Sequence, residues 1–288
     1  MKLIKGKKIA DGILRNIKRE IKKEKLGIGL AVILVGEDEA SKIYTRLKKK
    51  AAEKVGINFF EFRFANVANV ETRLIASLQE KIINKINQLN RDKKINGIII
   101  QLPLPKGLDT RKIISSVNPR KDADGFHPEN IKLFFRKKEK IWPVFPKAII
   151  KTLESAGVKL DGKKAVITAN SEKFGEIMME ALRRKNIKAR YVLAGNIKKN
   201  LPIIKRSDII ISACGIPGLI KGEMIKKGAV IVDGGITKKG KKILGDVDIK
   251  SVENIAGYTS PVPGGVGPVT VACLLENVLI LSQKEIPI

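Results

Sequence analysis

The feature that most constrains the fold of this 288-residue chain is an uninterrupted apolar run, IGLAVILVG, at residues 28–36. A strand with one solvent face alternates apolar and polar residues, whereas a strand covered on both faces is apolar throughout. Similar runs recur and alternate with stretches of helical periodicity, such as KIADGILRNIKREIKKE at residues 8–24. The alternation predicts an α/β fold on parallel sheets, because parallel strands need crossover helices that cover both faces.

The alternation is interrupted at WPVFPKAII, residues 142–150, and then resumes. The first part has the expected strands INFFEFRF and INGIIIQLPLP around a helix at about residues 71–91. The second part has the expected strands KKAVITAN, IKARYVLAG, SDIIISAC and GAVIVDGG, and the helix KFGEIMMEALRRK. We predict two open parallel-sheet domains with right-handed crossovers, divided near Trp142–Pro146. A last helix, at about Val269–Lys284, is apolar along one side and suited to packing on either domain.

The net charge of +28 at neutral pH indicates anionic partners, of which nucleic acid is the obvious class. The lysines are spread along nearly the whole chain, and aromatic residues make up only 5% of it. No RNA-binding or zinc-finger motif occurs. The even spread of lysines therefore indicates a general bias in amino-acid composition and not a sequence-directed nucleic-acid interface.

Histidine and cysteine narrow the possible chemistry. His127 is the only histidine, which excludes a histidine-rich zinc site, and we interpret it as structural. Cys214 and Cys273 lie far apart without metal-ligand spacing, as suits a reducing cytoplasm. The start of the sequence, MKLIKGKKIADGIL, contains no apolar run of signal-peptide length, and charged residues interrupt every apolar run before ~20 residues, so we expect a soluble cytoplasmic protein. Proton transfer then falls to Lys, Asp, Glu or Tyr.

The predicted helix YTRLKKKAAEKVGI, residues 44–57, raises the question of whether one of its lysines is reactive. Most lysine-rich helices present only a solvated face. Three loops with unusual residues favour a reactive lysine. They lie where ligands of open α/β sheets bind, beyond the carboxyl ends of strands. These loops are QLPLP at residues 101–105, NPRKDADGFHP at residues 118–128 and SPVPGGVGP at residues 260–268.

Together these stretches resemble the bifunctional methylenetetrahydrofolate dehydrogenase/cyclohydrolase family over nearly the whole chain. The resemblance rests on VGEDEASKIYTRLKKKAAEKVGI, GIIIQLPLP, NPRKDADGFHP, KGAVIVDGGI and TSPVPGGVGPVTVACLLENV. It implies oxidation of methylenetetrahydrofolate by NADP+ and hydrolysis of the methenyl product to formyltetrahydrofolate, in the one-carbon metabolism that supplies purine biosynthesis. It also implies a homodimer. The implied domains are a catalytic folate-binding domain at residues 1–142, with residues 268–288 packing back on it, and a Rossmann-like dinucleotide-binding domain at residues 143–267.

The resemblance also assigns residues around the reacting lysine. Lys48 is the catalytic lysine of the hydrolysis, Gln101 orients it through a hydrogen bond, and Tyr44 packs near the folate ring. Positions four apart share a helix face, so Tyr44 and Lys48 point the same way, while Lys49 and Lys50 turn towards solvent. A lysine moves protons near neutral pH only when desolvation or nearby cations lower its pKa.

The remaining folate contacts lie in two loops. Asp124, the second carboxylate of KDADG, matches the family's pterin-binding aspartate and completes the catalytic set, whereas Asp122 is interpreted as a turn residue. A carboxylate accepts two parallel hydrogen bonds from the paired N–H groups of a pterin. The wall of the substrate site is assigned to Pro261, Val262, Pro263, Gly264 and Gly265.

The cofactor loop departs from the family pattern. The family has Gly-Arg-Ser-x-x-Val-Gly-x-Pro, where this chain has ANSEKFGEI from residue 169. The arginine that holds the NADP 2′-phosphate in the family is therefore Asn170, a later serine is Asn196, and the proline is Ile177. The resemblance places the cofactor on Ala169, Asn170, Ser171, Gly175, Asn196, Lys198, Gly215 and Ile236.

Two interpretations of the altered loop remain open. Either the loop still binds a dinucleotide, since asparagine tolerates left-handed backbone, or the chain is a cyclohydrolase alone. No carboxylate follows IKARYVLAG to bind the ribose hydroxyls of NAD, and Lys198 and Lys199 favour a phosphate. A solvated helix start explains both lysines equally well. We therefore expect NADP in preference to NAD. The alternative from a different class is a non-catalytic basic protein that binds RNA.

Overall fold

The computed structural model describes residues 1–65, 72–240 and 242–283, without the side chains of residues 72 and 73. These residues form two compact α/β units. The three-stranded unit comprises the described parts of Gly12–Val144 and Val271–Ile288. The six-stranded unit comprises the described parts of Met1–Asp11 and Phe145–Thr270. The predicted α/β class with parallel sheets is confirmed.

The strands are β1 (Lys2–Leu3), β2 (Gly29–Val35), β3 (Asn58–Phe64), β4 (Gly97–Ile100), β5 (Lys164–Ala169), β6 (Lys188–Leu193), β7 (Ile209–Ala213), β8 (Val230–Asp233), β9 (Thr237–Lys239), β10 (Lys242–Leu244) and β11 (Tyr258–Thr259). The helices are α1 (Gly6–Glu24), α2 (Glu39–Val55), α3 (Thr72–Arg91), α4 (Thr110–Ser115), α5 (Pro128–Phe135), α6 (Val144–Glu154), α7 (Glu172–Arg183), α8 (Leu201–Arg206), α9 (Ile249–Val252) and α10 (Val266–Ser282).

The three-stranded unit has a parallel sheet with the order β3–β2–β4. Every residue of the central strand β2 is buried, as its continuous apolar run predicts. Ile82 and Ile86 of α3 join Ile33 and Ile98 in one core cluster, so this helix covers a face of the sheet. The sheet therefore holds the loops that follow β2 and β4 on a rigid base.

The six-stranded unit has a wholly parallel sheet with the order β1–β11–β8–β7–β5–β6. Ala169, the last residue of β5, pairs in register with Leu193 of β6 and with Ala213 of β7. Three strands thus end level with one another. The loops that follow them share one edge, where ligands of open sheets collect.

Several features differ from the sequence expectations. β4 ends at Ile100 and does not continue through QLPLP, because proline has no N–H to donate to a ladder. The two-residue strands β1 and β11 and the hairpin β9–β10 were not expected. α10 is buried around most of its circumference rather than along one side. The expected helix ends at residues 71 and 284 lie outside the described residues.

Within the described ranges, no helix combines the length and the apolar character that crossing a bilayer requires.

Candidate active site

Lys48 and Gln101 meet in the three-stranded unit. The Asp38 side chain caps the start of α2 and Gly56, in a left-handed conformation, ends it. Gln101 is the first residue after β4, and its N–H still donates to the carbonyl of Ile33 on β2. Lys48 Nζ donates to Gln101 Oε1 at 2.7 Å. The sheet edge therefore fixes the amide that orients the lysine.

The amide group of Gln101 has its polarity fixed by a second bond. Its Nε2 donates to the carbonyl of Leu102 at 2.8 Å, which leaves Oε1 to face Lys48. The side chain is buried, with 8% of its surface exposed. Lys49 and Lys50 are exposed, whereas Tyr44 is half-buried on the same helix. Lys48 is thus set apart from its neighbours in the lysine-rich stretch by its surroundings.

Burial and a neighbouring carboxylate have opposite effects on the pKa of Lys48. Burial lowers the pKa of Lys48, and the carboxylate of Asp124 raises it again in part. Burial also raises the pKa of Tyr44 above the usual range of a phenol. A lysine with a lowered pKa has a larger neutral fraction near pH 7 and serves as a proton acceptor and donor.

Asp124 lies on a loop that runs beside β4. The N–H of Ala123 donates to the carbonyl of Ile98 at 3.2 Å, and Ile98 forms a parallel bridge with Asp122. Burial raises the pKa of Asp124 to about 6, while Lys48 lowers it and the Asp122 carboxylate raises it further. Lys48, Gln101 and Asp124 are therefore parts of one electrostatic unit.

Asp122 has the structural role expected of a turn residue. Its carboxylate accepts hydrogen bonds from the N–H groups of Gly125, at 3.2 Å, and His127, at 2.7 Å, and from the side chain of Asn130. The His127 ring caps α5, since Nδ1 accepts from the N–H of Glu129 at 3.1 Å. These bonds fix the turn that immediately follows Asp124.

A residue that the sequence analysis missed holds the other side of this loop. Asn277 of α10 is fully buried, and its Nδ2 donates to the carbonyls of Ala123 at 3.0 Å and Trp142 at 2.9 Å. Asp124 is thereby flanked by a clamped carbonyl on one side and the Asp122 turn on the other. The available signal was a polar side chain within an otherwise apolar helix, which must find partners when buried.

The expected substrate-wall residues, Pro261–Gly265, belong to the six-stranded unit. Gly264 has φ +100°, and its carbonyl accepts from the N–H of Gly6 at 2.9 Å. A Cβ at Gly6 would lie 1.7 Å from the carbonyl oxygen of Gly265. The loop is therefore held by backbone contacts that only glycine permits.

The expected cofactor residues of the six-stranded unit lie at or after the carboxyl ends of β5, β6, β7 and β8, except Gly175, which lies in α7. Ser171 caps α7 by accepting from the N–H of Phe174 at 3.4 Å. A Cβ at Gly175 would lie 2.6 Å from the ring of Tyr191, so this glycine allows close packing of helix on strand. Helix amino termini bind phosphate groups, and close packing is the task of the third glycine in dinucleotide folds. These residues fit a dinucleotide without the family's arginine.

The other expected cofactor residues, apart from Ala169, are exposed. Asn170 and Asn196 follow β5 and β6, and Ala169 is buried at the end of β5. Gly215 has φ +67°, and its carbonyl accepts from the hydroxyl of Thr237 at 2.9 Å, which brings the chain next to Ile236 beside this loop.

Two buried carboxylates that the sequence analysis also missed support these loops. Asp246 accepts from the N–H groups of Cys214, at 2.6 Å, and Ile216, at 2.8 Å, on either side of Gly215. Asp233 accepts from the N–H of Asp246 at 3.1 Å, and burial raises its pKa to about 6. Acidic residues next to glycines, as in VDGG and LGDV, were the available signal.

Comparison with known proteins identifies this arrangement. Residues 4–124 match the tetrahydrofolate dehydrogenase/cyclohydrolase catalytic domain, and residues 143–286 match the NAD(P)-binding domain of the same name. The chain belongs to the tetrahydrofolate dehydrogenase/cyclohydrolase family. The recognition made from the sequence is confirmed.

Relatives within this tetrahydrofolate dehydrogenase/cyclohydrolase family match nearly end to end. The "Bifunctional protein FolD" of Vesicomyosocius okutanii is 41% identical over 290 residues, covering 99% of this chain and 100% of the relative. The structure of the bifunctional FolD enzyme of Campylobacter jejuni has a TM-score of 0.88 at 34% identity and covers 98% of both chains. The Trypanosoma brucei FolD structure, complexed with NADP cofactor and an inhibitor, has a TM-score of 0.88 at 31% identity, covering 97% of this chain and 96% of that one.

The raised pKa of Asp124 predicts a pH-dependent stability. A carboxyl group whose pKa is higher in the folded than in the unfolded chain destabilises the fold as pH rises, because ionisation then costs more in the folded state. The pKa of Asp124 rises from the ordinary value of 3.8 to about 6 in the folded chain. The advantage of Asp124→Asn over the parent in free energy of unfolding should therefore grow by about 2 kcal/mol as the pH is raised from about 4.5 to about 7.5. Urea unfolding of both proteins at the two pH values measures this difference. An advantage that stays the same at both pH values would contradict the raised pKa.

Proposed function

We propose that this protein oxidises methylenetetrahydrofolate with NADP+ and then hydrolyses the methenyl product to formyltetrahydrofolate. The observation that carries the proposal is the pair of Lys48 and Gln101, joined at 2.7 Å beside Asp124. Family membership supports this function over a non-catalytic RNA-binding protein. Bound NADP+ supplies the acceptor for the hydride that leaves the methylene carbon.

The hydrolysis needs a group that moves a proton at the methenyl carbon. Water adds to that carbon and loses a proton, and the C–N bond to one ring nitrogen then breaks as this nitrogen is protonated. Neutral Lys48 accepts the proton from the water, and Gln101 holds Nζ in place. The protonated lysine then donates to the departing nitrogen. The lowered pKa of Lys48 supports both steps, because each form is accessible near neutral pH.

Asp124 serves the substrate in this proposal. Its carboxylate accepts paired hydrogen bonds from the pterin ring, and Tyr44 packs near the same ring. The three-stranded unit then corresponds to the catalytic folate-binding domain, and the six-stranded unit to the dinucleotide-binding domain. Pro261–Gly265 supply the wall of the substrate site through backbone contacts.

The chain's residues for the cofactor lie at or after the carboxyl ends of β5, β6, β7 and β8, with Gly175 in α7. Ser171 at the start of α7 would hold the pyrophosphate, and Gly215 would let the backbone approach the dinucleotide. Asn170 lacks the charge of an arginine, so we expect weaker NADP+ affinity than in an arginine-bearing relative, and poorer use of NAD+. Asn170→Arg should strengthen the preference for NADP+.

The experiment that tests the function is a titration of NADP+ and NAD+ in the presence of methylenetetrahydrofolate, followed by reduced cofactor absorbance. A parallel assay follows the decay of methenyltetrahydrofolate in the near ultraviolet. Hydride transfer and hydrolysis together support both activities. Hydrolysis without dinucleotide binding at millimolar concentration would leave a cyclohydrolase alone, and loss of both would remove the proposal.

The oligomeric state, the cellular compartment and the pathway are proposed from the family resemblance. We propose a homodimer that acts in the cytoplasm, where its product supplies purine biosynthesis. Cys214 and Cys273 are buried and form no disulfide, which suits a reducing compartment. Light scattering of the purified protein measures the oligomeric state.

A further inference from the structure

A buried polar network, formed by Thr168, Ser212 and Asp246, lies where the strand order of the six-stranded sheet reverses. β5 pairs with β6 on one side and with β7 on the other, so the chain changes direction between β5 and β7. Thr168 of β5 donates its hydroxyl hydrogen to the hydroxyl of Ser212 on β7 at 2.8 Å. Each of these residues is one position from the carboxyl end of its strand. Because ligands of open α/β sheets bind in the crevice beyond such a reversal, the network lies at the base of the expected crevice.

Asp246 completes this network, and its side chain holds the loop after β7 by both carboxylate oxygens. Its Oδ2 accepts from the hydroxyl of Ser212 at 2.8 Å and from the N–H of Cys214 at 2.6 Å. Its Oδ1 accepts from the N–H of Ile216 at 2.8 Å. Each oxygen therefore binds one of the two N–H groups that flank Gly215. An asparagine would place its NH2 group against one of them, because an amide has a single acceptor oxygen.

The same carboxylate packs against the loop after β8. A Cβ at Gly235 would overlap the carboxylate of Asp246, so this glycine leaves the space that the carboxylate fills. Gly235 directly precedes Ile236, which is an expected cofactor residue like Gly215. A buried carboxylate is costly unless it is paired and hydrogen-bonded, and here its partners are the backbone groups of the loop. One fully buried side chain thus supports segments beside two expected cofactor residues.

We propose that Asp246 is a positioning residue for the dinucleotide, because it holds the loop around Gly215 in the conformation that receives this ligand. It acts through the backbone of the loop and not on the dinucleotide itself. Gly215 has φ +67°, and without its two anchored neighbours a glycine samples many other conformations. A loop that is only part of the time competent to bind lowers the apparent affinity by the same fraction. This inference rests on the proposed function and adds a residue outside the proton-transfer site.

The test separates KM from kcat in the intact protein. Asp246→Asn should raise the KM for NADP+ about tenfold, the factor of one hydrogen bond to a charged group, and change kcat at saturating NADP+ by less than about twofold. Hydrolysis of methenyltetrahydrofolate should stay within about twofold of the parent rate, because Lys48 and Gln101 belong to the three-stranded unit. Amide hydrogen exchange of residues 213–217 should be faster in the variant and should slow again when NADP+ is added.

The matched control is Asp208→Asn, the same substitution at the opposite end of β7. Asp208 accepts from the N–H of Lys164 at 3.0 Å and from the side chain of Lys226 at 2.5 Å. Its replacement should lower the free energy of unfolding, measured in urea, and leave the KM for NADP+ unchanged. An equal rise of this KM in Asp208→Asn would show a general loss of stability and overturn the inference. Equal losses of hydride transfer and hydrolysis in Asp246→Asn would overturn it for the same reason.

Ser212→Ala is a second variant that carries the test if Asp246→Asn does not fold. It removes the hydroxyl between Thr168 and Asp246 and keeps the carboxylate, so it should raise the KM for NADP+ about threefold, the factor of a neutral hydrogen bond. A parent-like KM in folded Asp246→Asn, or in Ser212→Ala in its place, would overturn the inference and leave the proposed function intact. Absence of NADP+ binding by the parent at millimolar concentration would instead remove the dehydrogenase activity, and the positioning role with it.

Discussion

Replacing Lys48 by methionine is expected to slow the hydrolysis of methenyltetrahydrofolate by ~100-fold or more, the scale of a lost general acid or base. Methionine matches the length and apolar stem of lysine and removes only the amine, so the fold should persist. The rate is read from the decay of the methenyl absorbance at saturating substrate, and far-ultraviolet circular dichroism checks the fold.

The control for this prediction is Lys49→Gln, one position along the same helix. Lys49 is exposed, so its loss should leave the rate near that of the parent. Parent-like hydrolysis by Lys48→Met would remove the proton-transfer role from Lys48. Equal losses in both variants would point to the overall charge of the helix.

The second large effect is expected for Asp124→Ala in folate binding. Loss of the carboxylate should cost about 1.5–3 kcal/mol of binding free energy, the range for hydrogen bonds to a charged group. The variant lacks a buried charge and should remain folded. Calorimetric titration with tetrahydrofolate at about pH 7.5, where a carboxyl group of pKa about 6 is ionised, gives the affinity directly.

Asp122→Asn provides the contrast. Asp122 accepts three hydrogen bonds, two from its own turn and one from Asn130 of α5. Asp122→Asn should therefore lower the free energy of unfolding and weaken folate binding less than Asp124→Ala does. Unchanged folate affinity in Asp124→Ala would end its assignment as the pterin anchor.

The fold was largely predictable because its strong signals are local. The continuous apolar run of β2 and the periodicity of α1 and α3 each follow from neighbouring residues. β1 and β11 are two residues long, so they carry no periodicity and are defined only by pairing with distant strands. The hairpin β9–β10 carries lysines rather than an apolar alternation.

In the candidate site too, some residues are predictable from the local sequence, whereas others are defined only by contacts with distant residues. The spacing of Tyr44 and Lys48 on one helix, and Gln101 after a strand, are readable from the sequence. The role of Asp246 depends on the N–H groups of residues 30 and 32 positions away, which no local pattern reveals.

The hydrogen bonds made by Asn277 have a consequence for co-translational folding. Lys48 and Gln101 are 53 positions apart, whereas the amide of Asn277 reaches back 154 positions to the carbonyl of Ala123. Chains emerge and begin to fold from the amino terminus. A nascent chain can therefore pair its lysine and glutamine early, but the loop that carries Asp124 gains its second anchor only when translation is nearly complete.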